Sequence, residues 1–447
     1  MIWKNLGIMA VLFLCLGSFV YFYEIEGGKK REEAEEKAKQ LFQFKKEDIA
    51  SISLTRDENP ITLKKDEDTW KLVQPIEARA DKTVADGLAS ELGSAKVERS
   101  LAPIPIDWEA FGLESPKIKI KIGLKDGQAH DIEFGEKDFN ESSIFARIPG
   151  QERILVLPSL LFSNADKKLF DFRDKRVIEF ERDQVKKVEI RSKGKFYVLE
   201  KKENDWSIQK PIQAKADRSE VNAILSDLEF ARLEEFMERG TPLRRYGLKA
   251  PRARVDLYLG DNQARKTLLI GQKTGESQYY AKDEVEEDVF KVKEDLVTKL
   301  ALDLQKLRDK KMVRFERNEV KRVEVKLPEK QFEFVRDLEG KWRMENPSGY
   351  KEKSILEYKL FWPLEDLEGK EIVDQANLED PKYGFMQPSA EVKLVKQDET
   401  IIEIVLGKTK GEVVFAKSAT DPTLYKVDKK VLEDLNFKVD EIMEKSE

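Results

Sequence analysis

The sequence has one cysteine and one histidine in 447 residues, and each scarcity removes a class of chemistry. Cys15 lies in an apolar stretch and has no second cysteine to pair with, so no disulfide can form within the chain. With His130 as the sole imidazole, a His/Cys metal site or a Cys–His nucleophile pair has no residues to build it. An excess of positive charge is missing too. Charged residues make up 38% of the chain, yet their signs nearly cancel to a net −6. Nucleic-acid binding needs a net basic surface to displace counterions, so the sequence predicts no nucleic-acid partner.

Residues 6–23 read LGIMAVLFLCLGSFVYFY, with no charge among them. At 1.5 Å per residue such a helix just spans a hydrocarbon core of about 30 Å. Trp3, Tyr21 and Tyr23 fall where interfacial aromatics belong. No small-residue cleavage site follows, and Leu14 before Cys15 is too bulky for a lipoprotein signal. The expectation is an uncleaved single-pass anchor over residues 1–24, partnered by the lipid bilayer. Lys29, Lys30, Arg31, Lys37 and Lys39 follow the segment, and a strict count of cations would place the main part of the chain in the cytoplasm. Those cations are interleaved with Glu32, Glu33, Glu35 and Glu36 in a charged helical spacer, residues 25–43. A short N-terminus that stays inside leads instead to soluble domains on the outer side of the inner (cytoplasmic) membrane, the orientation adopted here.

The rest of the chain repeats. Trp70, Trp206 and Trp342 are spaced at 136 residues, each followed five residues on by Pro75, Pro211 or Pro347, and Gly135, Gly271 and Gly407 keep the interval. Phe111-Gly112-Leu113 with Pro116 recurs as Tyr246-Gly247-Leu248 with Pro251, and as Tyr383-Gly384-Phe385 with Pro388. Arg173-Asp174-Lys175 recurs as Arg308-Asp309-Lys310. A period of this size is that of a domain, not of a solenoid repeat. The predicted copies are residues 44–175, 176–310 and 311–447, the last diverged.

Each copy reads as alternating strands, a tryptophan strand stopped by proline, a helix, the aromatic-Gly motif, a hairpin, two short strands and a closing helix. Asp217 with Glu220 predicts a capping box, followed by Val221, Ile224, Leu225 and Leu228 on one face. Asp81 opens the equivalent helix in the first copy. In the third, the interval puts Lys353 at that position, Ser354 and Glu357 offer a box, and Trp362-Pro363 should interrupt the helix. Gly112 is expected in the left-handed conformation, and the return strand of the hairpin to end at Gly135. The fold class is α+β: three tandem, mostly antiparallel sheet domains with a packed helix, after an N-terminal transmembrane helix.

No catalytic, cofactor-binding or metal site emerges. His130 reads as a solvated strand residue, with Lys266 and Ile402 as its counterparts. Gly407-Lys408-Thr409 resembles the end of a phosphate-binding loop, but Ile402 stands where that loop needs its first glycine, so a turn between strands is expected. Acids are abundant but dispersed, leaving a carboxylate-based hydrolase as the weakest alternative. Trp70, Trp206 and Trp342 are read as core residues before stacking platforms for sugars.

The order W-x-[LI]-x-x-P, Ala-Asp at a helix start (Ala80-Asp81, Ala216-Asp217), [YF]-G-L-x-x-P and a strand with Gly resembles the bacterial domain-of-unknown-function family 4340 (DUF4340), in three copies. The third copy departs from it in lacking Ala-Asp. The resemblance implies a membrane-anchored, non-enzymatic envelope protein, an accessory or scaffold subunit beside the permease and ATPase subunits of an ABC-type transporter. It implies no catalytic residues and no cofactor. An extracytoplasmic ligand- or glycan-binding module is the alternative.

Overall fold

The computed structural model describes residues 36–102, 105–350, 353–374, 376–419 and 421–443. The predicted anchor, residues 6–23, lies outside them. Among the described residues no helix is long and apolar enough to cross a membrane.

The first copy sets the pattern. Strands β1 (Ile49–Arg56), β2 (Asn59–Asp66), β3 (Thr69–Gln74) and β4 (Ala78–Arg79) precede helix α1 (Lys82–Ser94). Then come β5 (Arg99–Leu101), the hairpin β6 (Ile118–Leu124) and β7 (Ala129–Lys137), β8 (Ser143–Arg147), β9 (Ile154–Pro158), and helices α2 (Ser159–Ala165) and α3 (Leu169–Phe172). They form one sheet in the order β4-β3-β2-β1-β6-β7-β8-β9-β5, with antiparallel pairing along it. The alternation expected of β6 is observed: Ile118, Ile120 and Ile122 are buried and Lys119 and Lys121 exposed. One sheet face packs on Ala85, Leu88, Ala89 and Leu92 of α1 and on Leu161, Phe162 and Ala165 of α2. The closing helix is thus two short helices. The core also begins earlier than Phe44, because Leu41 and Phe42 are buried in it.

The second copy repeats this order from Ala214–Lys215 as far as Phe290–Lys293, the counterpart of β9, and the third from Trp342–Asn346 to Gly369–Val373, the counterpart of β5. In the third, the counterpart of β4 shrinks to a bridge between Arg343 and Ser354. Each tryptophan strand ends one residue before its proline, and all three prolines follow cis peptide bonds.

Two compact units divide the chain. One holds the residues through Arg176 together with Arg232–Phe236, and the other holds Val177–Ala231 and Met237–Glu447. The third sheet lies in the latter, as does the second from Ala214–Lys215 as far as Phe290–Lys293.

The long helix starts by one rule in three copies. The N–H of Asp81 donates to the carbonyl of Phe172, that of Asp217 to Leu307 and that of Leu356 to Ile442, each at 2.8 Å. The helix start is thereby tied to the end of its own copy. The Asp217 side chain accepts from the N–H groups of Ser219 and Glu220, as a cap should. The reciprocal half of the predicted box is replaced, since the Asp217 N–H is already committed to Leu307.

The third copy corrects the sequence reading. The carbonyls of Trp70, Trp206 and Trp342 accept from the N–H groups of Ala80, Ala216 and Ile355. Leu356, not Lys353, therefore stands where Asp81 and Asp217 do, three residues later than the interval implies. Neither Ser354 nor Glu357 forms a box, and Leu356 has no side chain able to cap. The helix is Glu357–Glu365, 9 residues against 13, with Pro363 near its end. It stops two residues beyond that proline, consistent with the lost donor.

Candidate functional site

The aromatic-Gly motif and the later strand glycine turn out to be one device. Gly112, Gly247 and Gly384 adopt φ of 65°, 70° and 76° after short 3-10 turns, as predicted. The return strand does not end at Gly135; it runs on to Lys137 through a shift in register. At that shift a Cβ on Gly135 would come within 3.0 Å of the carbonyl oxygen of Phe111. Gly271 with Tyr246, and Gly407 with Tyr383, repeat the relation. Gly407-Lys408-Thr409 is accordingly strand, within Ile401–Lys410, and not a turn. Its glycine serves close packing of two backbones.

His130 is half-buried instead of solvated, its ring 5.4 Å from Phe42 and 5.2 Å from Phe44. The three tryptophans are core residues, exposed by 2–4%. The Trp70 indole N–H donates to Asp86 at 2.8 Å. In the third copy Phe361 holds the place of Asp86, and Trp342 meets its ring edge-on at 5.2 Å. Among the described residues the Trp342 N–H has no acceptor.

Two carboxylates, Asp256 and Glu284, share Arg254 in the second sheet. Arg254 donates to both oxygens of Asp256 at 2.8–3.0 Å, and Thr267 to Asp256 at 2.7 Å. Arg254 also reaches Glu284 at 3.2 Å. Burial alone would raise the Asp256 pKa, but the hydrogen bonds from Arg254 and Thr267 outweigh it and hold the carboxyl below its ordinary range. An anion locked in this way is poorly suited to donate a proton near neutrality. Among the described residues no three His, Cys, Asp or Glu side chains converge as metal ligands.

The most built feature is the segment joining the second and third copies, residues 308–314. On one side Arg308 bridges Ala216, and the Asp309 N–H donates to Lys215 at 3.0 Å. On the other, the Gly369 N–H donates to Lys310 at 2.9 Å, Lys311 bridges Glu368, and the Met312 N–H donates to Leu367 at 3.3 Å. The Gln305 amide takes both backbone groups of Ile372, donating at 2.9 Å and accepting at 3.1 Å. Arg308 is paired with Asp374 and Arg314 with Asp309. Beside this segment opens a cleft of about 580 Å³, lined by the cations Lys215, Arg308, Lys311 and Arg314 and floored by Met312 and Ile372. Sequence reasoning noticed the repeated Arg-Asp-Lys but not the cleft.

The model for the domain of unknown function DUF4340 matches residues 70–237, 206–380 and 342–447. The chain belongs to the DUF4340 family. The overlapping matches place three copies of this domain in tandem along the chain, as the repeats predict. No curated protein matches the sequence. Among solved structures, a DNA polymerase sliding clamp from Pseudomonas aeruginosa, determined with ligand, is 8% identical, covering 88% of this chain and 94% of that one at a TM-score of 0.16. A DNA polymerase III subunit beta DnaN sliding clamp from Bartonella birtlesii is 8% identical, covering 89% and 97% at 0.14. Overlaps at those scores carry no argument about this DUF4340 protein.

Proposed function

We propose that this DUF4340 chain is a non-enzymatic scaffold of the cell envelope, an accessory subunit of an ABC-type transport system. Residues 6–23 tether it to the cytoplasmic membrane, and the three copies stand on the extracytoplasmic side. The observation supporting a scaffold is the joining segment 308–312, hydrogen-bonded along both edges. A flexible linker leaves domains to move independently, whereas this one is bonded to the copies before and after it. Crosslinking in intact membranes followed by purification of the full-length protein tests the proposal. Permease and ATPase subunits recovered in fixed proportion are the expected result. Recovery of the chain alone counts against it.

A second reading, an extracytoplasmic glycan-binding module, draws support from the third copy. Tyr358 and Trp362 are 52% and 61% exposed and border a groove of about 520 Å³ with Asn436, Glu433 and Asp434. The equivalent helix positions to Trp362 are Gly87 and Ala223. Retention of the purified protein on a polysaccharide fraction, lost in Trp362→Ala, is the outcome that would move the assignment there.

A further inference from the structure

The cleft beside the 308–314 segment differs in charge from its own counterpart earlier in the chain. Residues 173–182 read RDKRVIEFER and residues 308–317 read RDKKMVRFER. The cations that line the cleft have equivalents: Arg79 for Lys215, Arg173 for Arg308 and Arg176 for Lys311. In the first unit these are satisfied internally. Asp174 accepts from the Arg176 guanidinium on both of its oxygens, at 2.6–3.1 Å, and has a longer contact of 3.8 Å with Arg79. The Arg173 guanidinium lies 3.2 Å from the centre of the Phe236 ring.

Two changes undo that balance in the second unit. Arg314 replaces Glu179, adding a cation where an anion stood, and it captures Asp309, the equivalent of Asp174. Ile372 replaces Phe236, so Arg308 turns to Asp374 instead of a ring. Among the described residues Lys215 and Lys311 are then left with no carboxylate partner. Lys311 does act on Glu365 at longer range, but Glu365 is already held by Arg317 at 2.5–2.6 Å. Four cations thus line a concave space with one carboxylate, Asp309, among them. Confined positive charge of this kind attracts and holds anions.

We propose that this cleft binds a phosphate-bearing small molecule or headgroup. The ammonium groups of Lys215 and Lys311, held in no ion pair among the described residues, suit a phosphate as point charges, and Arg308 and Arg314, each paired with one carboxylate, supply planar donors. A volume of about 580 Å³ exceeds what a phosphate fills, and Met312, Ile372 and Ile402 give an apolar wall for the attached organic group. The assignment is independent of the scaffold reading, which concerns what the chain docks to and not what this cleft holds.

The test is calorimetric titration of the full-length protein in detergent with pyrophosphate, against sulfate at matched ionic strength. Saturable binding of pyrophosphate is expected, weakened at least about tenfold in Lys215→Gln/Lys311→Gln. Arg314→Glu, which restores the residue of the first junction, should weaken it similarly. The exposed turn variant Lys193→Gln should bind as the wild type does. A parallel flotation assay with phosphatidylglycerol vesicles, using a chain from which residues 6–23 are not removed but held in nanodiscs, separates the sources. Vesicle competition with pyrophosphate identifies a lipid headgroup, and its absence a soluble phosphate compound. No saturable binding, or equal binding by wild type and a correctly folded double variant, overturns the proposal.

Discussion

The backbone carbonyl of Tyr246 occupies the space that a Cβ on Gly271 would need. The same holds for Phe111 with Gly135 and Tyr383 with Gly407, so the strand glycine is required by the turn that precedes it by more than twenty residues. Because the obstructing atom is backbone, relief requires moving the turn or the strand. Gly271→Ala should destabilise the protein by about 2–3 kcal/mol, the upper part of the usual overpacking range. A urea unfolding midpoint measures it. A change too small to detect would mean that the turn yields freely and that the pairing is incidental.

Gly87 supplies the opposite case. It sits exposed inside α1, and a Cβ there would meet nothing within 4 Å. Alanine costs less backbone entropy in a helix, so Gly87→Ala should stabilise the first unit by about 0.5–1 kcal/mol. Comparing its melting curve with that of Gly271→Ala tests whether the steric relation, and not glycine loss in general, sets the sign.

Asp86 makes a claim about buried polar groups. Its carboxylate accepts the Trp70 N–H in a core position. Asp86→Ala strands that donor and should cost about 1–3 kcal/mol. The exposed ion pair with Lys82, also lost, contributes little of this. Asn222 occupies the equivalent place in the second copy and is exposed, so Asn222→Ala should fall within about 0.5 kcal/mol of wild type. Equal costs at the two sites would reject the role given to the indole bond.

How much of this could be read beforehand varied with the kind of signal. The repeats, the proline-stopped strands and the left-handed Gly112 were legible because single residue types mark each of them. The start of the third long helix was not. Three residues are added between Trp342 and Leu356 and three are lost by Gly369: Gly369 follows Leu356 by 13 residues, while Leu233 follows Asp217 by 16. The 136-residue interval survives this exchange and conceals it. The strand glycine was visible as a repeat, but its partner was not, because the contact is with a carbonyl that any residue carries. The cleft had one sequence signal, Arg314 against Glu179, which becomes meaningful only when the fold pairs Arg314 with Asp309.

Acid should weaken the second copy through Asp256. Its folded pKa is depressed by Arg254 and Thr267 despite burial, so the native state binds its proton less readily than the unfolded chain does. That contribution is complete above the ordinary carboxylate value of about 3.9 and fades as the pH falls through the lower folded value. Unfolding midpoints collected from pH 6 downward should therefore drop more steeply below pH ~4 for wild type than for Asp256→Asn. At neutral pH the variant should be the less stable of the two, since Arg254 loses its anionic partner. Parallel profiles would show that Asp256 titrates as it does unfolded.

Gln305 offers the sharpest probe of whether the second and third copies behave as one body. Its amide satisfies both the N–H and the carbonyl of Ile372, a part-buried pair at the edge of the third sheet. Gln305→Ala removes both bonds while leaving each domain core untouched. Water can reach part of the site, so the cost should be modest, about 1–2 kcal/mol. The informative quantity is cooperativity. If the joining segment couples the copies, wild type should unfold them in a single transition, and the variant should split that transition or expose residues 308–312 to limited proteolysis. If the variant still unfolds in one step with an unchanged cleavage pattern, the backbone bonds of Asp309, Gly369 and Met312 suffice by themselves. The scaffold would then owe its stiffness to the paired segment and not to the side chain that straddles it.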